Sequence, residues 1–220
     1  FAAPRGGAQR PSGGRAGAEA RLLRFDPAAL PAALANRDLG VLDAKIANAI
    51  ASACDRLIAG EMRDQFVTDF IQGGAGTSTN MNANEVIANL ALEALGHKKG
   101  EYQYVNPNDH VNFGQSTNDM YPTAFRLALI MRLESYMKSL TALQEAFNAK
   151  AKEFDKVLKM GRTHLQDAVP MSLGQEFHGW GTTIGEEVQR IAEVRQFLHE
   201  INLGATAIGT TVTAHPGYPE

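Results

Sequence analysis

Three polar segments carry the residues whose types and spacing could do chemistry. The first is Gly73-Gly74-Ala75-Gly76-Thr77-Ser78-Thr79-Asn80-Met81-Asn82-Ala83-Asn84-Glu85. Its glycines let the backbone approach a ligand closely, and hydroxyls and amides follow at once. It lacks the Lys-Ser/Thr pair of a P-loop, which speaks against nucleotide binding. The second is Asn106-Pro107-Asn108-Asp109-His110-Val111-Asn112, followed by Gln115-Ser116-Thr117-Asn118-Asp119. Ser-Thr-Asn just ahead of a helix sets two hydroxyls and an amide beside exposed N–H groups, an arrangement suited to a small anion. The third is Gly161-Arg162-Thr163-His164-Leu165-Gln166-Asp167. Each has a plainer reading. Ser, Thr and Asn before a helix most often cap it, and a single His164 in a turn is most often a surface residue. Asp109, His110 and Asp119 match no standard metal-ligand spacing.

The elements that must position these segments are helices. From residue 41 a 3.6-residue apolar pattern dominates. Val41, Leu42, Ile46, Ile50, Ala53, Leu57 and Ile58 form one stripe that ends near Gly60. A second helix is predicted from Asn82, with Glu85 as its capping-box partner, to a stop at Gly96. Two long segments follow. One enters at Pro122, runs to about residue 158 and carries Leu129, Leu133, Met137, Leu140, Phe147, Ala151 and Phe154. The other follows Pro170 with a Ser172/Gln175 capping box, carries Phe177, Trp180, Ile184, Val188, Ile191, Leu198 and Ile201, and stops near Gly204. At about 1.5 Å per residue each would span about 45–55 Å. Two such helices cannot cover each other's apolar faces completely, so further helices must complete a bundle. No strand-like alternation of useful length is read, and no internal repeat.

The bulk properties exclude several classes. The chain has 220 residues, 44% hydrophobic and 20% charged, enough for a sizeable core. A net charge of −3 favours neither nucleic acid nor an anionic membrane. One cysteine, Cys54, rules out a disulfide within the chain and suggests a reducing compartment, the cytoplasm. No apolar run approaches the roughly 20 residues of a membrane span. Residues 1–25 carry Arg5, Arg10, Arg15, Arg21 and Arg24 against Glu19 alone. They read as a disordered or unrelated leader, or as an Arg-rich transit segment. The expected organisation is a leader over 1–25, a mainly helical domain over 26–116, and the first part of a long-helix bundle over 117–220.

In order and spacing, the three segments together resemble the conserved segments of the fumarase/aspartase superfamily. The resemblance covers roughly residues 27–220. Within it the aspartase branch fits best, on Gly96-His97-Lys98-Lys99-Gly100-Glu101-Tyr102-Gln103-Tyr104, on Asn106, and on Ile201-Asn202-Leu203-Gly204-Ala205-Thr206-Ala207-Ile208-Gly209-Thr210. The resemblance implies an all-α long-helix fold and the reversible elimination of ammonia from L-aspartate to fumarate. It implies that Thr77, Ser116 and Thr117 hold the β-carboxylate, that Thr163 contacts the α-carboxylate, and that Asn118 and His164 orient the amino group. It implies no required cofactor, with magnesium an activator in some members. It also implies a homotetramer whose active sites draw segments from three chains. Fumarate hydratase is the nearest alternative, and a non-catalytic helical assembly protein is one of a different class.

The sequence departs from the family in three places. The family's catalytic base is a serine in a Gly-Ser-Ser-x-Met-Pro-x-Lys-x-Asn-Pro loop, and these 220 residues contain no such segment. Thr211-Val212-Thr213 stands where the family reads Gly-Leu-Asn. Residues 1–25 do not resemble the family's opening. The expectation is a fragment that keeps the substrate-gripping part of the site and has no lyase activity alone.

Overall fold

The computed structural model describes residues 29–69 and 73–218. The leader expected over 1–25 lies outside them. The chain divides into two compact units. The first comprises the described residues up to Ala128 together with residues 201–218. The second is Leu129–Glu200.

The first unit is built on α1 (Ala29–Asp38), α2 (Ala44–Ile58) and α3 (Thr77–Ala94). Helix α1 is absent from the sequence reading. It is an alanine-rich stretch, favourable to helix but with little apolar contrast between its faces. Asp43 caps α2, accepting from Lys45 N at 2.8 Å and Ile46 N at 3.3 Å. The predicted stripe is correct in its centre: Leu42, Ile50, Ala53 and Leu57 are buried, while Val41 and Ile58 at its ends are exposed. The core also holds Ile87, Leu90, Leu92, Val105, Val111 and Met120. Fully burying one such side chain contributes about 1.5–3 kcal/mol. Exposed ion pairs such as Arg37–Asp38 contribute about 0–1 kcal/mol, so the apolar cluster holds this unit.

Helix α3 begins five residues before the predicted Asn82. Gly76, at φ 87°, takes the N-cap position, a left-handed conformation that suits glycine. The Asn82/Glu85 capping box does not form. Asn82 instead accepts from Val67 N at 3.0 Å and donates to Gln65 O at 3.1 Å, clipping the incoming chain. The predicted stop is correct. Gly96 has φ 83°, Gly96 N bonds Glu93 O, and His97 N bonds Leu92 O, which together make a Schellman motif.

Helix α4 (Thr117–Glu153) starts before Pro122 rather than at it. Proline lacks the N–H that would bond Asn118 O one turn back. That freed carbonyl is taken by Asn202 Nδ2 at 2.7 Å, so the returning 201–218 segment repairs the gap.

In the second unit α4 continues into a β-hairpin and then α5 (Leu173–Arg195). Strands β1 (Leu158–Thr163) and β2 (Gln166–Ser172) pair antiparallel, with a register shift between Met160 and Arg162. This corrects the expectation of a chain without strands. Most of the hairpin's side chains are exposed, so it shows no apolar alternation to read. The Ser172/Gln175 capping box is present, at 3.0 Å and 2.9 Å. Helix α5 ends at Arg195, short of Gly204, and gives way to a 3₁₀ turn at Gln196–His199.

Helices α4 and α5 pack antiparallel in this unit through Phe147, Phe154, Phe177 and Trp180, with ring centroids 5.0–6.0 Å apart. Much of their apolar face is not covered. Met131, Tyr136, Leu143, Trp180 and Val194 are all exposed. Among the described residues, no helix is long and apolar enough to cross a membrane.

Close helix contact depends on Gly174. A Cβ there would stand 2.4 Å from Ala151 O and 2.7 Å from Asp155 Cα, backbone atoms that cannot swing aside. Gly174→Ala is expected to lower stability by about 1–3 kcal/mol in urea unfolding. Gly179 on the same helix faces open space, so Gly179→Ala is expected to raise stability by about 0.5–1 kcal/mol. Equal effects of the two would contradict the packing described.

Candidate functional site

The first unit gathers two of the three polar segments. Gly76 lies against the ring of Tyr121, close enough that a Cβ would be 2.5 Å from Tyr121 Cγ. One turn into α3, buried Asn80 donates to Asn112 Oδ1 and to Thr117 Oγ1, both at 3.4 Å. Asn112 Nδ2 in turn donates to Gln115 O at 3.1 Å. The glycine-rich loop is thereby tied to the start of α4. Thr77, Ser116, Thr117 and Asn118 all belong to this assembly.

Their hydroxyls are used differently. Thr77 donates its hydroxyl hydrogen to Gly74 O at 2.8 Å. Thr117 only accepts, from Asn80, which leaves its hydrogen available. Ser116 is the informative case. As N-cap of α4 its Oγ should accept from the N–H of Asp119, three residues on. That N–H bonds Ser116 O instead. Asp119 Oδ2 reaches back to accept from Ser116 N at 2.8 Å. Only the return half of a capping box is formed, and Ser116 Oγ is buried without a partner. The plain reading of Ser116 as a hydroxyl cap therefore fails.

Asp119 is fully buried and also accepts from Thr206 N, at 3.1 and 3.0 Å to its two oxygens. Its side chain is thus engaged by main-chain N–H groups. His110 Nδ1 likewise accepts from Asn106 N at 2.8 Å, within a π-helical turn at Pro107–Val111. Among the described residues, no group of three His, Cys, Asp or Glu side chains is placed to hold a metal ion.

Thr163 and His164 lie in the second unit, both exposed, on the hairpin that joins α4 and α5. Thr163 pairs with Gln166, so His164 and Leu165 form a two-residue turn. Their φ values are 49° and 61°, the left-handed pair that such a turn demands and that Asn-Gly usually supplies. Leu165 is 98% exposed. A side chain-bearing pair held in this conformation at a loop tip carries backbone strain of the kind that gathers at functional sites.

Sequence reasoning gave no individual role to Asn80, Asn112 or Thr206 and did not reach Tyr218. Tyr218 is buried and its phenol oxygen receives Gln115 Nε2 at 2.6 Å. The Ser116-x-x-Asp119 spacing, a capping-box pattern, could have flagged the Asp119 contact with Ser116 N. Nothing local could have flagged Thr206, which lies 87 positions from Asp119.

Residues 23–220 match the sequence model of a family described as lyase. The chain belongs to this lyase family. The aspartate ammonia-lyase of Pseudomonas aeruginosa is 61% identical over 188 residues, covering 85% of this chain and 40% of that protein. The chain spans 39–40% of the length of the curated relatives it matches. Among solved structures, the cobalt-bound fumarate lyase:delta crystallin of Brucella melitensis has a TM-score of 0.83 and 50% identity, covering 93% of this chain and 44% of that one. The recombinant class II fumarase of Schistosoma mansoni has a TM-score of 0.77 and 35% identity, covering 93% and 42%. The superfamily and the long-helix fold expected from the three segments are borne out, the hairpin being the addition to the all-α picture.

In this lyase chain Tyr218 has an alkaline signature. Burial pushes its phenol from 10.0 up to about 12; the Gln115 bond acts the other way, and Asp119 adds to the rise. The folded state therefore holds this proton more tightly than the unfolded state. The resulting stability is fully present below about pH 10 and is lost as the pH rises towards 12. In urea unfolding, the native chain is expected to lose more stability over that window than Tyr218→Phe. Parallel losses would contradict this account.

Proposed function

We propose that this chain supplies the carboxylate-gripping part of an active site that reversibly eliminates ammonia from L-aspartate to give fumarate. The observation that carries the proposal is the buried, unpartnered hydroxyl of Ser116 at the N-terminus of α4. A hydroxyl left free beside exposed N–H groups suits an anionic oxygen. The choice of aspartate rests on the aspartate ammonia-lyase of Pseudomonas aeruginosa, 61% identical to this chain against 35% for the fumarase.

The chemistry asks for such a site. A base takes the proton from carbon 3, and the electron pair left there is shared with the β-carboxylate as an enediolate. That pair then forms the double bond as the carbon–nitrogen bond at carbon 2 breaks and ammonia leaves. Preorganised donors around the β-carboxylate stabilise the charge as it develops. In this reading Thr77, Ser116 and Thr117 serve that carboxylate, and Thr77 must turn its hydroxyl away from Gly74 to do so. Thr163 contacts the α-carboxylate. Asn118 and His164 orient the amino group; the main-chain oxygen of Asn118 is engaged by Asn202, while the residue itself is exposed. No cofactor takes part, with magnesium an activator at most. The exposed apolar faces of α4 and α5 support association into a homotetramer with shared sites, and the family's small-molecule chemistry supports a cytoplasmic setting.

Two measurements test this. The 220 residues hold no Gly-Ser-Ser-x-Met-Pro segment, so the purified chain is expected to form no fumarate from aspartate, followed by ultraviolet absorbance. Residues 29–218 grafted in place of the matching stretch of the Pseudomonas aeruginosa relative are expected to give a chimera active on aspartate and inactive on malate. A folded chimera that turns over malate would favour the fumarate hydratase reading. One that turns over neither would favour a non-catalytic assembly protein.

A further inference from the structure

Thr206 is the least comfortable residue of the first unit. Its backbone sits at φ 64° and ψ −166°, a region occupied almost only by glycine. Threonine is β-branched, which makes the conformation harder still to adopt. Its side chain is 4% exposed, and Oγ1 has no hydrogen-bond partner. A buried hydroxyl without a partner is disfavoured, and neither it nor the backbone strain improves packing. What holds the residue there is its own N–H, which donates to both oxygens of Asp119.

The same carboxylate accepts from Ser116 N, and Ser116 Oγ is the second unpartnered hydroxyl. Gln115 Oε1, next along the chain, is a third unpartnered atom. Asp119 thus fixes two segments distant in sequence, at Ser116 and at Thr206, by their main-chain N–H groups. It satisfies itself in doing so and consumes neither hydroxyl. The Ser116 hydroxyl stands at the N-terminus of α4, where the helix favours negative charge, and the Thr206 backbone is held to the same carboxylate one turn in.

We propose that Thr206 is a further substrate-binding hydroxyl of the carboxylate site, and that Asp119 is the positioning residue that sets it beside Ser116. The inference deepens the reading above and rests on it. The ligand class is a small carboxylate: the unpartnered hydroxyls donate, the helix end attracts an anion, and Asp119 is already engaged by the N–H groups of Ser116 and Thr206.

The test is a titration of the 220-residue chain with succinate, followed by the amide shifts of Ser116, Thr117 and Thr206, with neutral succinamide as control. Thr206→Val keeps the N–H to Asp119 and removes only the hydroxyl. It is expected to raise the succinate Kd about tenfold while melting no lower than the native chain, because the hydroxyl makes no bond in the empty site. Thr206→Ser is expected to bind within about twofold of native. A merely structural hydroxyl would lower the melting temperature and leave affinity unchanged. Native affinity in Thr206→Val overturns the inference and leaves a water as the hydroxyl's partner. A native chain that binds no succinate overturns the carboxylate-site reading beneath it as well. Succinate binding that depends on Thr206, in a chain whose chimera does not turn over aspartate, supports the subsite and overturns only the choice of substrate.

Discussion

The polar face of the first unit depends on one buried carboxylate. Asp119 stands in the first turn of α4, where a negative charge is favoured by the helix, and accepts N–H groups from Ser116 and Thr206. Remove it and two main-chain donors lose their acceptor, one buried at Thr206 and one half-buried at Ser116. The cost of leaving one such donor unsatisfied is about 1–3 kcal/mol. That exceeds what any exposed ion pair on this chain contributes. The carboxylate also decides which groups stay free. By taking the backbone of Ser116 it relieves the serine hydroxyl of the capping role that this position usually imposes.

A second tie runs between the same two stretches. Pro122 removes one helical bond near the start of α4, and the amide of Asn202 fills the vacancy at Asn118 O. The 201–218 segment is thus joined to α4 at two neighbouring places, once through Asn202 and once through Thr206. Tyr218 adds a third contact through Gln115. This pattern explains why the last stretch of chain belongs to the first unit although the whole second unit intervenes in sequence. It also explains how the segment tolerates strain. Thr211, which stands where the superfamily reads glycine, has φ 60°, as does Ile208. Such conformations persist where the surroundings over-determine them.

What was legible in the sequence was local. The Ser172/Gln175 box, the Gly96 stop and the centre of the α2 stripe each depend on residues within a turn or two, and each is present. The misreadings have physical causes of the same kind. Helix α3 starts early because a glycine at positive φ can replace a side-chain cap, and its φ is not written in its neighbours. The hairpin escaped because its turn is His164-Leu165 rather than Asn-Gly and because its side chains face solvent. Helix α1 escaped because alanine favours helix without marking a face. The site was half legible. Residue types in the second segment pointed to a small anion, but Asn80, Asp119 and Thr206 act across 32 to 87 positions, and no periodicity carries that information.

Hydroxyls rather than cations line the start of α4, and this choice has consequences for both function and stability. In the proposed reaction a guanidinium would hold a carboxylate more tightly, but it would hold a dicarboxylate product equally well. Binding substrate and product alike slows release without lowering the barrier between them. Neutral donors that meet the anion only in a fixed geometry discriminate better, because their benefit grows as charge builds on the carboxylate oxygens. The corresponding burden falls on the empty protein. Unpartnered hydroxyls at Ser116 and Thr206 and a threonine in a glycine-like conformation all lower its stability. A fold that retains them against that loss is better explained by a ligand that completes them than by packing.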